Sequence, residues 1–162
     1  MAISGDEFRA GMALRAGGVA IVTAKAGDLQ HGMTVTDYAG VSADPPLVLV
    51  CADKSSNTLG VIRDGGCFAI NLLSTDQVDL SNKFASKKHE WERFDGLDCA
   101  TAATGAPLIP DCVGSFDCSL EAEHDAGDHV IFVGRVQAVA MSQREPLVYV
   151  GGRYCSAASL DG

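Results

Sequence analysis

Beyond residue 18, most of this chain is cut into short β-branched and apolar runs by glycine, proline and aspartate. Such punctuation favours antiparallel strands joined by turns. Residues 19–25 form one run, Ala26-Gly27-Asp28 is a turn signal, and residues 31–38 alternate well enough to complete a hairpin. Asp44-Pro45-Pro46 cannot continue a central strand, because proline lacks the ladder donor, so it marks the start of another strand over residues 47–52. Residues 67–73, 97–100, 112–124, 130–141 and 147–150 read as further strands, with Ala126-Gly127-Asp128 as a second hairpin turn.

Helices fit only between these runs. Ser4-Gly5-Asp6-Glu7 is a capping box that opens a helix to about residue 16, with Phe8, Met12 and Leu14 on its apolar side and Gly17-Gly18 as its stop. Ser55 or Ser56 caps a short helix to about residue 64, ended by Gly65-Gly66. Thr75 caps another over residues 75–85, with Val78, Leu80 and Phe84 as its apolar face. Peripheral helices around a run of strands predict a mainly β protein, a closed or nearly closed antiparallel β-barrel rather than an alternating βαβ sheet. No repeat or linker divides residues 1–162, which read as a single domain.

Composition narrows the function. The 162 residues are 47% hydrophobic, ample for a packed core. A formal charge of −9, from 21 acidic and 12 basic residues, offers no stripe to neutralise phosphates, so no nucleic-acid partner is expected. No apolar run approaches the ~20 residues of a membrane span, and Asp6 and Glu7 stand where a signal peptide is basic, so a cytoplasmic protein away from membranes is expected. The six cysteines include no C-x-x-C pair, and most of them read as small buried hydrophobes. Cys118, His124 and His129 match no zinc spacing, and no metal is expected. Dinucleotide-fold, P-loop and acyl-transfer signatures are absent.

Residues 32–58 carry the chemistry. Lys54, Ser55, Ser56, Asn57 and Thr58 stand where a strand gives way to a helix, whose free N–H groups and partial positive charge suit an anion such as a phosphate. The same residues serve equally as a cap and a solvated turn. Gly32-Met33-Thr34-Val35-Thr36 is a strand with both threonines on one face. If its backbone groups are unpaired, they read the polar edge of a planar ring; otherwise it is an ordinary strand with a solvated face. His129, after Gly127-Asp128, is either a donor to a carboxamide or an exposed turn residue. Trp91 and Phe94 either line a ring pocket or anchor a loop, and anchoring is the expectation.

Taken in order, Gly32 to Thr36, Val41-Ser42-Ala43-Asp44-Pro45-Pro46-Leu47-Val48-Leu49-Val50-Cys51, Lys54 to Thr58, Gly127-Asp128-His129 and Gly151-Gly152-Arg153-Tyr154 resemble the short flavin reductase family. These are reductase components of two-component flavin-dependent monooxygenases, and the resemblance runs from about Arg15 to Tyr154. It implies a split β-barrel of the FMN-binding type, a homodimer, and FMN, or FAD, bound in a groove near the subunit interface. It places Thr34, Val35 and Thr36 at the flavin ring. Ser42 and the Ser55 to Thr58 turn fall at the ribityl-phosphate end, Lys83, Phe84 and Ala85 beside the flavin, and His129 and Tyr154 near the nicotinamide of NADH or NADPH. Asp37 and Gly40 depart from the family pattern, which has a small neutral residue and a serine there. A carboxylate at Asp37 would disfavour an anionic reduced ring if it points inward and is inert if it points outward. The expected activity is NAD(P)H:flavin oxidoreduction supplying a monooxygenase; a non-catalytic flavin carrier or a flavin oxidase on the same barrel are the alternatives.

Overall fold

The computed structural model describes residues 2–158. Helix α1 (Gly5–Met12) precedes strands β1 (Gly17–Gly18), β2 (Ala20–Ala26), β3 (Leu29–Val35), β4 (Tyr38–Ala43) and β5 (Pro46–Asp53). Helix α2 (Asn57–Gly65), strand β6 (Cys67–Leu72) and helix α3 (Val78–Ala85) follow. The chain closes with β7 (Gly114–Ala126), β8 (His129–Met141), β9 (Leu147–Val150) and β10 (Arg153–Ser156).

Seven strands form one antiparallel sheet in the order β3-β2-β6-β7-β8-β5-β4. Its two edge strands, β3 and β4, are consecutive and joined only by Thr36 and Asp37. A sheet whose opposite edges are so tethered has to curl until they approach, and Cys51 N donates to Asp37 O at 2.9 Å, extending the β4–β5 ladder into the two-residue link. The edges themselves do not pair, so the barrel is split along this seam rather than closed. Register shifts between Asp117 and Cys118 and between Leu120 and Ala122 bend the long β7–β8 hairpin around the curve. A second sheet, β1-β9-β10, lies beside the barrel.

Alternation explains the core. Ala20, Val22 and Ala24 of β2 face the barrel interior with Val48, Val50, Phe68, Ile70, Val130 and Phe132, and Leu59 and Ile62 of α2 pack into the same cluster. The opposite face of β2 is buried too: Val19 and Ile21 pack with Leu73, Phe84, Ile109 and Leu147 under α3. Asn71 is fully buried there yet satisfied, donating to Ile21 O and Thr23 Oγ1 and accepting from Ile109 N and Ser115 Oγ.

Several boundaries differ from the sequence expectation. The Ser4–Glu7 capping box forms, but α1 ends at Met12 rather than near residue 16, because residues 13–15 wind into a tighter turn. Its apolar side chains Phe8, Met12 and Leu14 remain exposed. Helix α3 follows a 3₁₀ turn over Thr75–Gln77, and the residue at its start is Ser74, whose N–H donates to Gln77 Oε1, rather than Thr75. Residues 97–100 are no strand; Ala100 makes a single bridge to Leu108. Strands β1, β4 and β10 were not expected, since glycine-rich or short segments carry no alternation.

Candidate functional site

Strand β3 pairs only with β2, so one side of its backbone is free of any ladder. Arg93 donates through NH1 to Gly32 O at 2.6 Å, and Arg15 donates through NH2 to Thr36 O at 3.2 Å. Backbone groups alternate in direction along a strand, so residues 32, 34 and 36 share the outer side, and Thr34 presents its N–H and C=O between two arginines. Its side chain donates to Ser81 O at 2.7 Å, holding α3 against the strand. Gly32 makes that contact possible: a Cβ there would sit 2.9 Å from Phe84 Cε1 and 2.9 Å from Val22 O.

A groove follows this free edge. Its first lobe, about 320 Å³, is lined by Met33, Thr34, Asp53, Ser55, Ser56, Asn57, Phe84, Ala85, Lys87, Glu90 and Arg93. Here α2 begins: Ser56 caps it, its Oγ accepting from Thr58 N at 3.3 Å, while Lys87 Nζ donates to Ser55 Oγ at 3.2 Å. Asp53 accepts from Ser55, through side chain and backbone, which holds its carboxyl below the usual range. Glu90 accepts from Asn57 Nδ2 at 2.5 Å. Two cations therefore face two carboxylates, and an anion here is held by local donors rather than by net charge. Arg93 also lines this lobe, with NH1 and NH2 donating to Gly32 O and Ser86 O and its Nε buried without a partner.

The second lobe, about 300 Å³, shares Thr34 and Ala85 with the first and continues over Val19, Val35, Thr36, Ser81, Asn82, Tyr149 and Tyr154. Tyr154 OH lies 2.9 Å from both Ser81 Oγ and Asn82 Oδ1, and its ring meets Tyr149 edge-on at 5.2 Å. This end is neutral and aromatic, whereas the first is charged and rich in hydroxyls. A planar heterocycle with an anionic tail, a flavin nucleotide, fits that polarity, with the Thr34 N–H as a donor and its C=O as an acceptor along the free edge.

Of the residues singled out from sequence, Thr34, Val35, Thr36, Ser55, Ser56, Asn57, Phe84, Ala85 and Tyr154 line the groove. The others sit elsewhere in this chain. Thr58 is fully buried, its Oγ1 2.8 Å from His31 Nδ1. Lys83 turns outward to Asp95 O. Ser42 lies on β4 beside a register shift. Lys54 pairs with Asp125, and its N–H donates to Asp128 O, so His129 and its hydrogen-bond partner Asp128 flank the hydroxyl turn rather than the aromatic lobe. Phe94 anchors its loop on Phe84, ring to ring at 5.3 Å; Trp91 stays largely exposed over His31.

Sequence reasoning missed Arg93, Lys87, Glu90, Ser81, Asn82 and Tyr149. The first three follow α3 in a charged stretch that reads as solvated, and nothing local reveals that Arg93 reaches back to β3. His31 is also buried, and desolvation, reinforced by Arg93 and opposed by Glu90, holds its pKa below the ordinary value. Among the described residues, no group of three or more His, Cys, Asp or Glu is placed to hold a metal, and no helix is long and apolar enough to cross a membrane.

A split barrel whose free edge strand borders a groove polarised from hydroxyl and cation to aromatic defines a binder of nucleotide cofactors. Residues 12–158 match the flavin reductase like domain, and the chain belongs to that family. It is 40% identical over 147 residues to the FMN reductase (NADH) SmoA of Agrobacterium fabrum, covering 91% of this chain and 83% of that protein. It is 37% identical over 163 residues to the actinorhodin polyketide dimerase of Streptomyces coelicolor, covering 98% of this chain and 91% of that one. Its fold is similar to that of the NADH:FAD oxidoreductase SgcE6 of Streptomyces globisporus C-1027, solved in complex with NAD and FAD fragments. That likeness has a TM-score of 0.89 at 28% identity, covering 100% of this chain and 99% of the other.

Proposed function

We propose that this protein is an NAD(P)H:flavin oxidoreductase that passes hydride from reduced nicotinamide to FMN, or FAD, and supplies reduced flavin to a partner monooxygenase. The observation that carries this reading is the groove along the free edge of β3, hydroxyl-lined at one end and aromatic at the other, in a chain of the flavin reductase like family. A bound flavin supplies the hydride-accepting ring, so the protein's work is binding, orientation and electrostatics. Ser55, Ser56, Asn57 and Lys87 hold the phosphate at the start of α2, with Lys54 nearby. Thr34 offers its backbone N–H and C=O to the ring edge, flanked by Val35 and Thr36, while Ala85 leaves room above Phe84. Tyr154 bounds the nicotinamide side. No general base is needed.

Ser42 and His129 line no part of this chain's groove, and we assign them to the completed site of a cytoplasmic homodimer, with His129 orienting the nicotinamide carboxamide. A His129→Ala protein with full NADH turnover would remove that role, and a monomer by light scattering would remove the dimer. Anaerobic stopped-flow with added FMN or FAD tests the activity. NADH or NADPH is expected to bleach the flavin band far above the free-flavin rate; binding without bleaching would mark a flavin carrier instead.

A further inference from the structure

The groove does not end at the aromatic lobe. A third lobe, about 260 Å³, shares Thr36 and Tyr149 with it and adds Met12, Ala13, Arg15, Gly17, Asp37 and Gly152. Arg15 folds back from the turn after α1, and its NH2 donates to Thr36 O at 3.2 Å and to Asp37 Oδ1 at 2.5 Å. Gly17 makes room for this, since a Cβ there would sit 3.3 Å from Arg15 NH1. Both side chains are about half exposed, at 43% and 53%, and they open onto the lobe. Among the described residues, none accepts from Arg15 NH1 or donates to Asp37 Oδ2.

Such a pair has no net charge, so it gives neither a phosphate nor an ammonium an advantage. It offers instead a donor beside an acceptor, in a lobe also lined by Tyr149 and two glycines. Resting on the flavin-groove reading, we propose that Arg15 and Asp37 read an amide edge at this end of the site: Arg15 donates to a ligand carbonyl, and Asp37 accepts from the adjacent ligand N–H. The chemical class is a planar amide, either the imide edge of a flavin pyrimidine ring or the carboxamide of nicotinamide. Asp37 thereby ceases to be an electrostatic liability beside the ring, because Arg15 neutralises it.

Binding titrations without turnover separate the sources. FMN is compared with N3-methyl-FMN, which lacks the imide N–H, and NAD+ with 3-acetylpyridine adenine dinucleotide, which lacks the carboxamide N–H. The native protein is expected to favour the N–H-bearing member of one pair by about tenfold, as for a hydrogen bond to a charged acceptor. Asp37→Ala is expected to bind both members of that pair alike. Loss of discrimination in the flavin pair assigns the imide, and in the dinucleotide pair the carboxamide. Discrimination unchanged by Asp37→Ala, or absent from both pairs in the native protein, overturns the proposal. Native protein that binds no flavin at all overturns the reading beneath it.

Discussion

Replacing Arg93 by methionine tests how the groove is built. Only 5% of its side chain is exposed, and it bonds Gly32 O at 2.6 Å and Ser86 O at 2.5 Å, fastening the end of α3 to β3. Hydrogen bonds from a charged donor are each worth about 1.5–3 kcal/mol, so the pair contributes about 3–6 kcal/mol. Burying a guanidinium opposes this: desolvation lowers Arg93's pKa, only partly countered by Glu90, and methionine recovers some of that cost. The buried Gly32 carbonyl, the part-buried Ser86 bond and the Glu90 carboxylate lose their cation, which methionine cannot replace. The unmade bonds therefore outweigh the relieved desolvation, and Arg93→Met is expected to lower unfolding free energy by about 2–4 kcal/mol. Urea unfolding followed by far-UV circular dichroism reads this directly. A loss under about 0.5 kcal/mol, typical of a surface change, would refute the pillar role.

Three further outcomes follow from the same geometry. Gly32→Val drives a side chain into Phe84 and the Val22 carbonyl and is expected to cost about 1–3 kcal/mol, partly recovered by Phe84→Leu in the same urea assay. Ala85→Trp fills the junction of the two main lobes from an exposed position, and is expected to abolish FMN binding in a fluorescence titration while leaving the unfolding midpoint nearly unchanged. Burial holds His31's pKa below its unfolded value, so the unfolded chain takes up the proton first. Stability is then full above the ordinary histidine range, near pH ~6.5, and falls as pH drops through it; His31→Gln is expected to flatten that part of the stability profile.

Most strand positions were legible because β2, β5 and β8 combine β-branched runs with clear turn residues at their ends. The α2 cap and its glycine stop were equally plain, with Ser56 at one end and Gly66 in the left-handed region at the other. The β3–β4 break was not. Residues 31–38 alternate through Thr36 and Asp37, with no glycine or proline at those two positions, because crossing from one barrel edge to the other changes pairing partner and not chain direction. The hydroxyl turn and the threonine strand were visible as local motifs. Arg93, Arg15 and Tyr149 were not, since their roles depend on partners far along the chain: 61 residues for Arg93 and Gly32, 22 for Arg15 and Asp37. Chemistry written in consecutive residues survives reading in one dimension; chemistry assembled by the fold does not.

The proposed flavin lies along β3 with its phosphate at Ser55, Asn57 and Lys87. Comparing FMN with riboflavin, which lacks the phosphate, in native and Lys87→Ala proteins tests this placement most directly. Lys87→Ala is expected to weaken FMN by about tenfold, the scale of one charge-assisted hydrogen bond reduced by solvent exposure. Riboflavin is expected to change by less than about twofold, because no phosphate meets that lysine. Equal losses for both ligands, or none for FMN, would contradict the account.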